Sequence, residues 1–242
     1  MNPLLLIDAD YFFYRAASAS EDEHEYSEDV TVIVGDHRKA KSIVNQEIAN
    51  LKQKFNSEDV LLFFTDRKNF RKDIDPTYKG NRTKRKPAGY RKLVDWGRES
   101  YKSQMMPGLE ADDVLGITAT QGHLEDFVLI SPDKDLQQIP CHIYDLKTEF
   151  TQTPEAAERK LYEQALTGDA TDGYKGCTGV GPKKAEIILK KAKGNYWSAV
   201  LEAYLEAGQT EDDALRNLRL AKILQAPDFN FQTGRPILFT PQ

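Results

Sequence analysis

The chain has 242 residues, 40% of them hydrophobic and 29% charged, with a formal net charge of −5. Such a composition supports a folded core and excludes a disordered chain, and its longest apolar runs, "LLLI" and "VLLFF", are far too short to span a bilayer. Two cysteines, Cys141 and Cys177, lie far apart, and the start "MNPLLLIDAD" has neither a basic region nor a long apolar one, so no export signal, free thiols, a cytoplasmic location and no membrane partner are expected.

The first run, "PLLLID", reads as a buried strand ending at Asp8. The segment 18–35, "SASEDEHEYSEDVTVIVG", is acidic and ends in a possible strand; it reads as an exposed loop or hairpin, and its residues give it no role. Residues 36–55, "DHRKAKSIVNQEIANLKQKF", carry an amphipathic helical pattern with an N-cap at Asp36. "DVLLFFTD" is a second strand, ending at Asp66, and "EADDVLGITATQ" a second helix. "DFVLISPDKD" is a third strand, reaching Asp133 and Asp135. Continuous apolar strands alternating with helices predict an α/β fold, with a mostly parallel central sheet covered on both faces. From about residue 154 the pattern turns helical, with "PEAAERKLYEQALTG", "GPKKAEIILKKAKG", "YWSAVLEAYLEAG" and "DDALRNLRLAKILQ" in succession. The expected division is a main domain over 1–153 and a helical region over 154–242.

Each of these strands ends in aspartate, and ligands of open α/β sheets bind outside the carboxyl ends of the strands. Asp8, Asp66, Asp133 and Asp135 would gather there, together with Glu110, Asp112 and Asp113 of "LEADD" and with Asp169 and Asp172 of "LTGDATDG". Taken singly these acids are unremarkable as signals. An aspartate after a strand is commonly a helix N-cap, and acids in a first helical turn are favoured by the macrodipole. Nine carboxylates at one edge repel one another and need cations. All-oxygen ligation points to Mg²⁺ or Mn²⁺, and the four histidines lie outside these motifs. Without the nine, the rest of the molecule is net positive, and Arg67–Lys92 holds eleven Lys or Arg against Asp73 and Asp75. An acidic, metal-filled pocket in a basic body suits a polyanion, and two divalent ions suit phosphodiester hydrolysis.

The motifs "LLLIDAD", "FFTDRKNFRKDIDPTYKGNR", "PGLEADDVLG", "VLISPDKDLQQI" and "LTGDATDGYKGCTGVGPKKA" follow one another here as in the 5′-3′ exonuclease and flap endonuclease family, which the chain resembles from about residue 3 to at least 190. That family includes the 5′ nuclease domain of bacterial DNA polymerase I and stand-alone phage enzymes; at this length a stand-alone enzyme is expected. The resemblance implies a PIN-like nuclease core with a helix-3-turn-helix motif in the helical region. It places all nine carboxylates at metal positions, some of them acting through water. It implies that Lys79 and Arg82 of "YKGNR" flank the scissile phosphate, where a fixed cation stabilises developing charge. Tyr78 is a candidate for stacking on a base or for packing. Residues 83–106 correspond to an arch for a free 5′ strand, with Lys84, Arg85, Lys86, Arg91 and Lys92 drawing DNA. Gly179 and Gly181 of "CTGVGPKKA", with Lys175, Lys183 and Lys184, correspond to a duplex-binding element, often with K⁺.

The resemblance implies a metal-dependent 5′-3′ exonuclease and flap endonuclease of DNA replication or repair, acting on DNA with a free 5′ end, with an RNA primer in a hybrid as a further candidate substrate. The chain departs from the pattern at "DAD", where many relatives have Asp-Gly, with Asp10 readable as an outer ligand or an N-cap, and at "TDGYKG". Two alternatives stand beside this reading: a branched-DNA binder that does not cut, and a PIN-like ribonuclease. A monomer is expected, since no apolar surface helix or heptad is visible.

Overall fold

The structure is a computed structural model, and it describes residues 2–241. The element order is β1 (Leu4–Asp8), α1 (Ala9–Ser18), β2 (Glu21–Ser27), β3 (Val30–Gly35), α2 (His37–Phe55), β4 (Val60–Phe63), α3 (Arg71–Ile74), α4 (Tyr90–Ser100), β5 (Ser103–Gln104), α5 (Ala111–Thr120), β6 (Phe127–Ile130), β7 (His142–Tyr144) and β8 (Glu149–Thr151). There follow α6 (Pro154–Thr167), α7 (Pro182–Ala192), α8 (Tyr196–Glu206), α9 (Glu211–Ala221) and a small ribbon of β9 (Phe229–Asn230) and β10 (Arg235–Pro236).

The main sheet has the strand order β5-β4-β1-β6-β7-β8. All neighbours in it are parallel except β7 and β8. The apolar run of β1 makes it the central strand: Leu5, Leu6 and Ile7 are buried between β4 and β6. After β1 the chain builds outward to β4 and β5, then returns to the other side of β1 as β6. The order therefore reverses between β1 and β6, which opens a crevice at their carboxyl ends.

Both faces of the sheet are covered, as continuous apolar strands require. On one face α1, α2 and α4 bury Phe12, Phe13, Val44, Ile48 and Leu93 against Leu5, Ile7 and Leu62. On the other, α5 buries Val114 and Leu115 against Leu6, Phe63 and Leu129. Asp36 caps α2 as expected, accepting from the amides of Arg38 and Lys39. The acidic segment forms an exposed antiparallel hairpin, β2–β3, that pairs with no other strand.

The segment 83–106 does not stand clear of the body as an arch. Residues 90–100 form α4, whose Tyr90, Leu93 and Gly97 are buried, and β5 joins the sheet edge. Only the loop before α4 stays outside, with Lys84, Arg85 and Lys86 exposed. The helical region builds its own core from α6 to α9, and Tyr78 enters it. The chain then returns to the sheet, where Ile223, Leu224 and Phe229 pack with α5. Among the described residues, no helix is long and apolar enough to cross a membrane. Both cysteines are free and buried.

Candidate active site

The carboxyl edge at β1 and β6 carries acids that local structure fixes in place. Asp8 ends β1, and Ser131, just after β6, donates its hydroxyl to Asp8 Oδ2 at 2.8 Å. Asp133 caps a short 3-10 helix, Lys134–Gln138, by accepting from the amide of Asp135. Glu110 is the N-cap residue of α5, so Glu110, Asp112 and Asp113 sit at a helix start. Asp169 and Asp172 lie in a tight turn rather than a helix. Asp169 accepts from the amides of Thr171 and Asp172. Gly168 and Gly176, both at positive φ, cross so closely that a Cβ on either would collide with the other's backbone.

The acids fall into two electrostatic groups. The first group already has protein partners. Arg71, fully buried, places each of its five N–H bonds: Nε to Leu220 O at 2.9 Å, Nη1 to Asp113 Oδ2 at 2.7 Å and Glu110 Oε2 at 3.3 Å, Nη2 to Asp113 Oδ1 at 2.8 Å and Lys222 O at 2.6 Å. Asp113 also accepts from the amides of Glu110 and Leu224. Its acceptor positions are thereby filled. Glu110 is contacted by Lys79 and Arg71. Burial would raise its pKa, but Lys79 and Arg71 prevail and hold it at about 2. Asp172 accepts from Arg82 at 2.6 Å and lies 3.6 Å from Lys79. Asp66 accepts from the amide of Gly108 at 2.8 Å, which lowers its pKa and ties it to the turn before α5.

Among the described residues the second group forms no ion pair; Lys79 near Asp112 and Lys134 near Asp135 oppose the neighbouring acids without outweighing them. Burial, with Asp10 and Asp133 nearby, pushes Asp8 up to about 7 against the opposing bond from Ser131. Burial, then Asp8, Asp133 and Glu110, raises Asp112 well above the ordinary range. Burial, then Asp133, Asp169 and Asp172, pushes Asp135 up to about 7. Asp135 Oδ1 is buried with no hydrogen-bond partner. Buried carboxylates that raise one another, and an acceptor with nothing to accept from, are what a divalent cation corrects. Among the described residues, no three Asp, Glu, His or Cys side chains stand close enough to form a ready-made coordination shell. The all-oxygen donors and the unpartnered Asp135 Oδ1 fit a hard cation such as Mg²⁺.

Two sequence expectations change. Tyr78 does not face solvent: it is 3% exposed, and its hydroxyl lies 2.7 Å from Asp172 Oδ2 and 3.0 Å from Glu110 Oε2. A ring enclosed in the helical core cannot stack on a base; it orients two acids. Asp10 is not the N-cap of α1, a position Asp8 takes. The Asp10 carboxylate accepts from the Thr65 amide at 3.1 Å and the Tyr90 hydroxyl at 3.0 Å, tying α1 to β4 and α4. Arg71 and Ser131 escaped the sequence reading. Arg71 sits in "NFRKD" as one cation among eleven, and only the fold brings it to acids about forty residues away.

Among the basic candidates, Lys79 and Arg82 reach this edge through Glu110 and Asp172. Lys79, at positive φ, hydrogen-bonds through its amide to Asp172 O. Arg82, Lys84, Arg85, Lys86, Arg91 and Lys92 are exposed. Lys175, Lys183 and Lys184 are exposed around the loop from α6 to α7. In that loop Gly179 has positive φ, and neither Gly179 nor Gly181 has an atom within 4 Å of a built Cβ, leaving the backbone before α7 open to approach.

The family of the 5′-3′ exonuclease N-terminal resolvase-like domain matches residues 3–164. The exonuclease of Escherichia phage T7 is 31% identical, with 98% of this chain and 93% of that protein covered. The T5 5′-exonuclease with bound zinc superposes with a TM-score of 0.68 at 16% identity, covering 90% of this chain and 89% of that one. The T5 flap endonuclease, in a pseudo-enzyme-product complex with DNA and metal ions, superposes at 0.63 with 17% identity and covers 91% and 89%. With the motif order, the sheet topology and these likenesses together, the chain belongs to the 5′-3′ exonuclease and flap endonuclease family, as a nuclease of the phage type.

Proposed function

We propose that this protein hydrolyses DNA from 5′ ends, and cuts 5′ flaps, at the carboxylate edge between β1 and β6, using two Mg²⁺ ions, for which Mn²⁺ can substitute. The observation that carries the reading is the set of Asp8, Asp112 and Asp135: withdrawn from solvent, raised by neighbouring acids and, among the described residues, held in no ion pair. Asp8, Glu110, Asp112, Asp133, Asp135, Asp169 and Asp172 would hold the ions, some of them through water, and Asp66 and Asp113 would also fix the turn and helix start that carry them. When bound, the ions supply activated water and stabilise the leaving oxygen.

The chain's own residues do the rest. Lys79 and Arg82 lie against Glu110 and Asp172 at the rim of the acids. There they meet the scissile phosphate and stabilise its developing charge. Lys84, Arg85 and Lys86 draw the 5′ strand along the loop before α4. The open backbone at Gly179 and Gly181, with Lys175, Lys183 and Lys184, receives a duplex phosphate at the start of α7, with a K⁺ ion at the turn. The division at 153/154 then separates the sheet-bearing part from a part that holds the duplex and lends Asp169 and Asp172 to the acids. Acting in replication or repair as a monomer, and removing RNA primers, complete the proposal. The metal- and DNA-bound T5 structures support the metal and the substrate class.

A flap substrate labelled at its 5′ end tests it. Short labelled products should appear with Mg²⁺ and vanish with EDTA. Binding without cleavage would leave a branched-DNA binder, and cleavage of RNA alone would favour the ribonuclease reading.

A further inference from the structure

The β2–β3 hairpin has no place in the reaction described above. Between Glu21 and Asp29 it carries six acids and no Lys or Arg. Its strands pair only with each other, and its side chains are almost all exposed. Yet its base is fastened to one place. Glu21 Oε1 accepts from Arg85 Nη1 at 2.5 Å and from the Ala88 amide at 2.5 Å, while Oε2 accepts from Arg85 Nη2 at 3.1 Å. Gly35, opposite Glu21 in the ribbon, lies so near Ala88 that a Cβ there would sit 2.4 Å from its carbonyl oxygen. Glu23 and Glu25 share the face of Glu21 by strand alternation.

The loop so gripped skirts the acids. It leaves Arg82, paired with Asp172, and ends at Tyr90, whose hydroxyl holds Asp10 two residues from Asp8. A guanidinium fork binds a carboxylate and a phosphate with the same two-pronged geometry. Arg85 therefore meets a carboxylate where a backbone phosphate would bind.

We propose that Glu21 is a specificity-determining residue that occupies the phosphate fork of Arg85 in the DNA-free protein, so that DNA must displace it. The proposal rests on the DNA nuclease reading above. Strands that touch only the basic loop gain little, because each phosphate placed on Arg85 frees a carboxylate beside further acids. Strands that also engage the carboxylate edge are held by more than the loop.

Binding of a 5′-labelled single-stranded oligonucleotide, measured by fluorescence anisotropy in EDTA over a series of salt concentrations, tests this without cleavage. Glu21→Gln keeps an oxygen for the Ala88 amide and so preserves the loop. It should lower Kd about two- to fivefold at low salt. It should also steepen the slope of log Kd against log salt by about 0.7, one phosphate contact's worth on a single strand. In an Arg85→Ala background the same change should give no gain. Weaker or unchanged binding by Glu21→Gln, or a gain that persists without Arg85, overturns the proposal. If the unaltered protein does not bind at all, the nuclease reading fails with it; binding without gain sinks this inference alone.

Discussion

Arg71 and Tyr78 act on the acids from beneath, through contacts that no external ligand reaches. Replacing Arg71 with Met would leave Asp113 fully buried beside nothing positive. Removing one partner of a buried pair typically costs about 3–5 kcal/mol. Arg71→Met should therefore lower the denaturation midpoint steeply, and Arg71→Lys, which keeps the charge but not the five-pronged geometry, should fall between. Tyr78→Phe preserves the packed ring and removes only the hydroxyl between Asp172 and Glu110. Losing that donor should cost about 1–3 kcal/mol in urea denaturation with unchanged DNA affinity. A clear loss of affinity would restore a direct contact with DNA. Sequence reading singles out Asp8, Asp66 and Asp133 because each follows a strand's apolar run. It cannot tell Asp113, saturated by Arg71, from Asp112, which burial and neighbouring acids raise despite Lys79; they are neighbours with the same chemistry.

At the scale of elements, legibility follows length and burial. β1, β4 and β6 are visible as continuous apolar runs, and α2 through its period and its Asp36 cap. β5, β7 and β8 have two or three residues each and no period to read. α4 is the instructive case. Its cationic residues draw attention to an exposed role, while the buried positions Tyr90, Leu93 and Gly97 mark a helix face at i, i+3 and i+7. Gly97 is where α4 meets α1: a Cβ there would lie 2.3 Å from the ring of Phe13. Gly97→Ala should therefore destabilise by about 1–3 kcal/mol through overpacking, despite its better helix propensity. A thermal melt unchanged by that substitution would mean that α4 stands off the body after all.

For the molecule as a whole, the carboxylate edge makes stability depend on pH and metal together. Asp8 and Asp135 have folded pKa values of about 7 against an ordinary 3.8. Each binds its proton more tightly when folded, so its stabilising contribution is complete below about pH 4 and is lost as pH rises toward 7. Metal-free protein should thus lose stability over that window, and saturating Mg²⁺ should flatten the slope, as followed by thermal melts in EDTA and in Mg²⁺. The same slope with and without Mg²⁺ would place the ions elsewhere. By itself the sequence determined the alternation of strand and helix, the parallel sheet, the strand-end acids at its carboxyl edge and the helical C-terminal third, since each is written in local periodicity or in residues next to a strand end. Only the tertiary structure decided which acids meet a guanidinium and which meet one another, that Tyr78 turns inward, that α4 packs instead of arching, and that Glu21 reaches Arg85. Those outcomes depend on side chains tens of residues apart meeting in a low-dielectric interior or at a shared rim, and no local pattern encodes such distances.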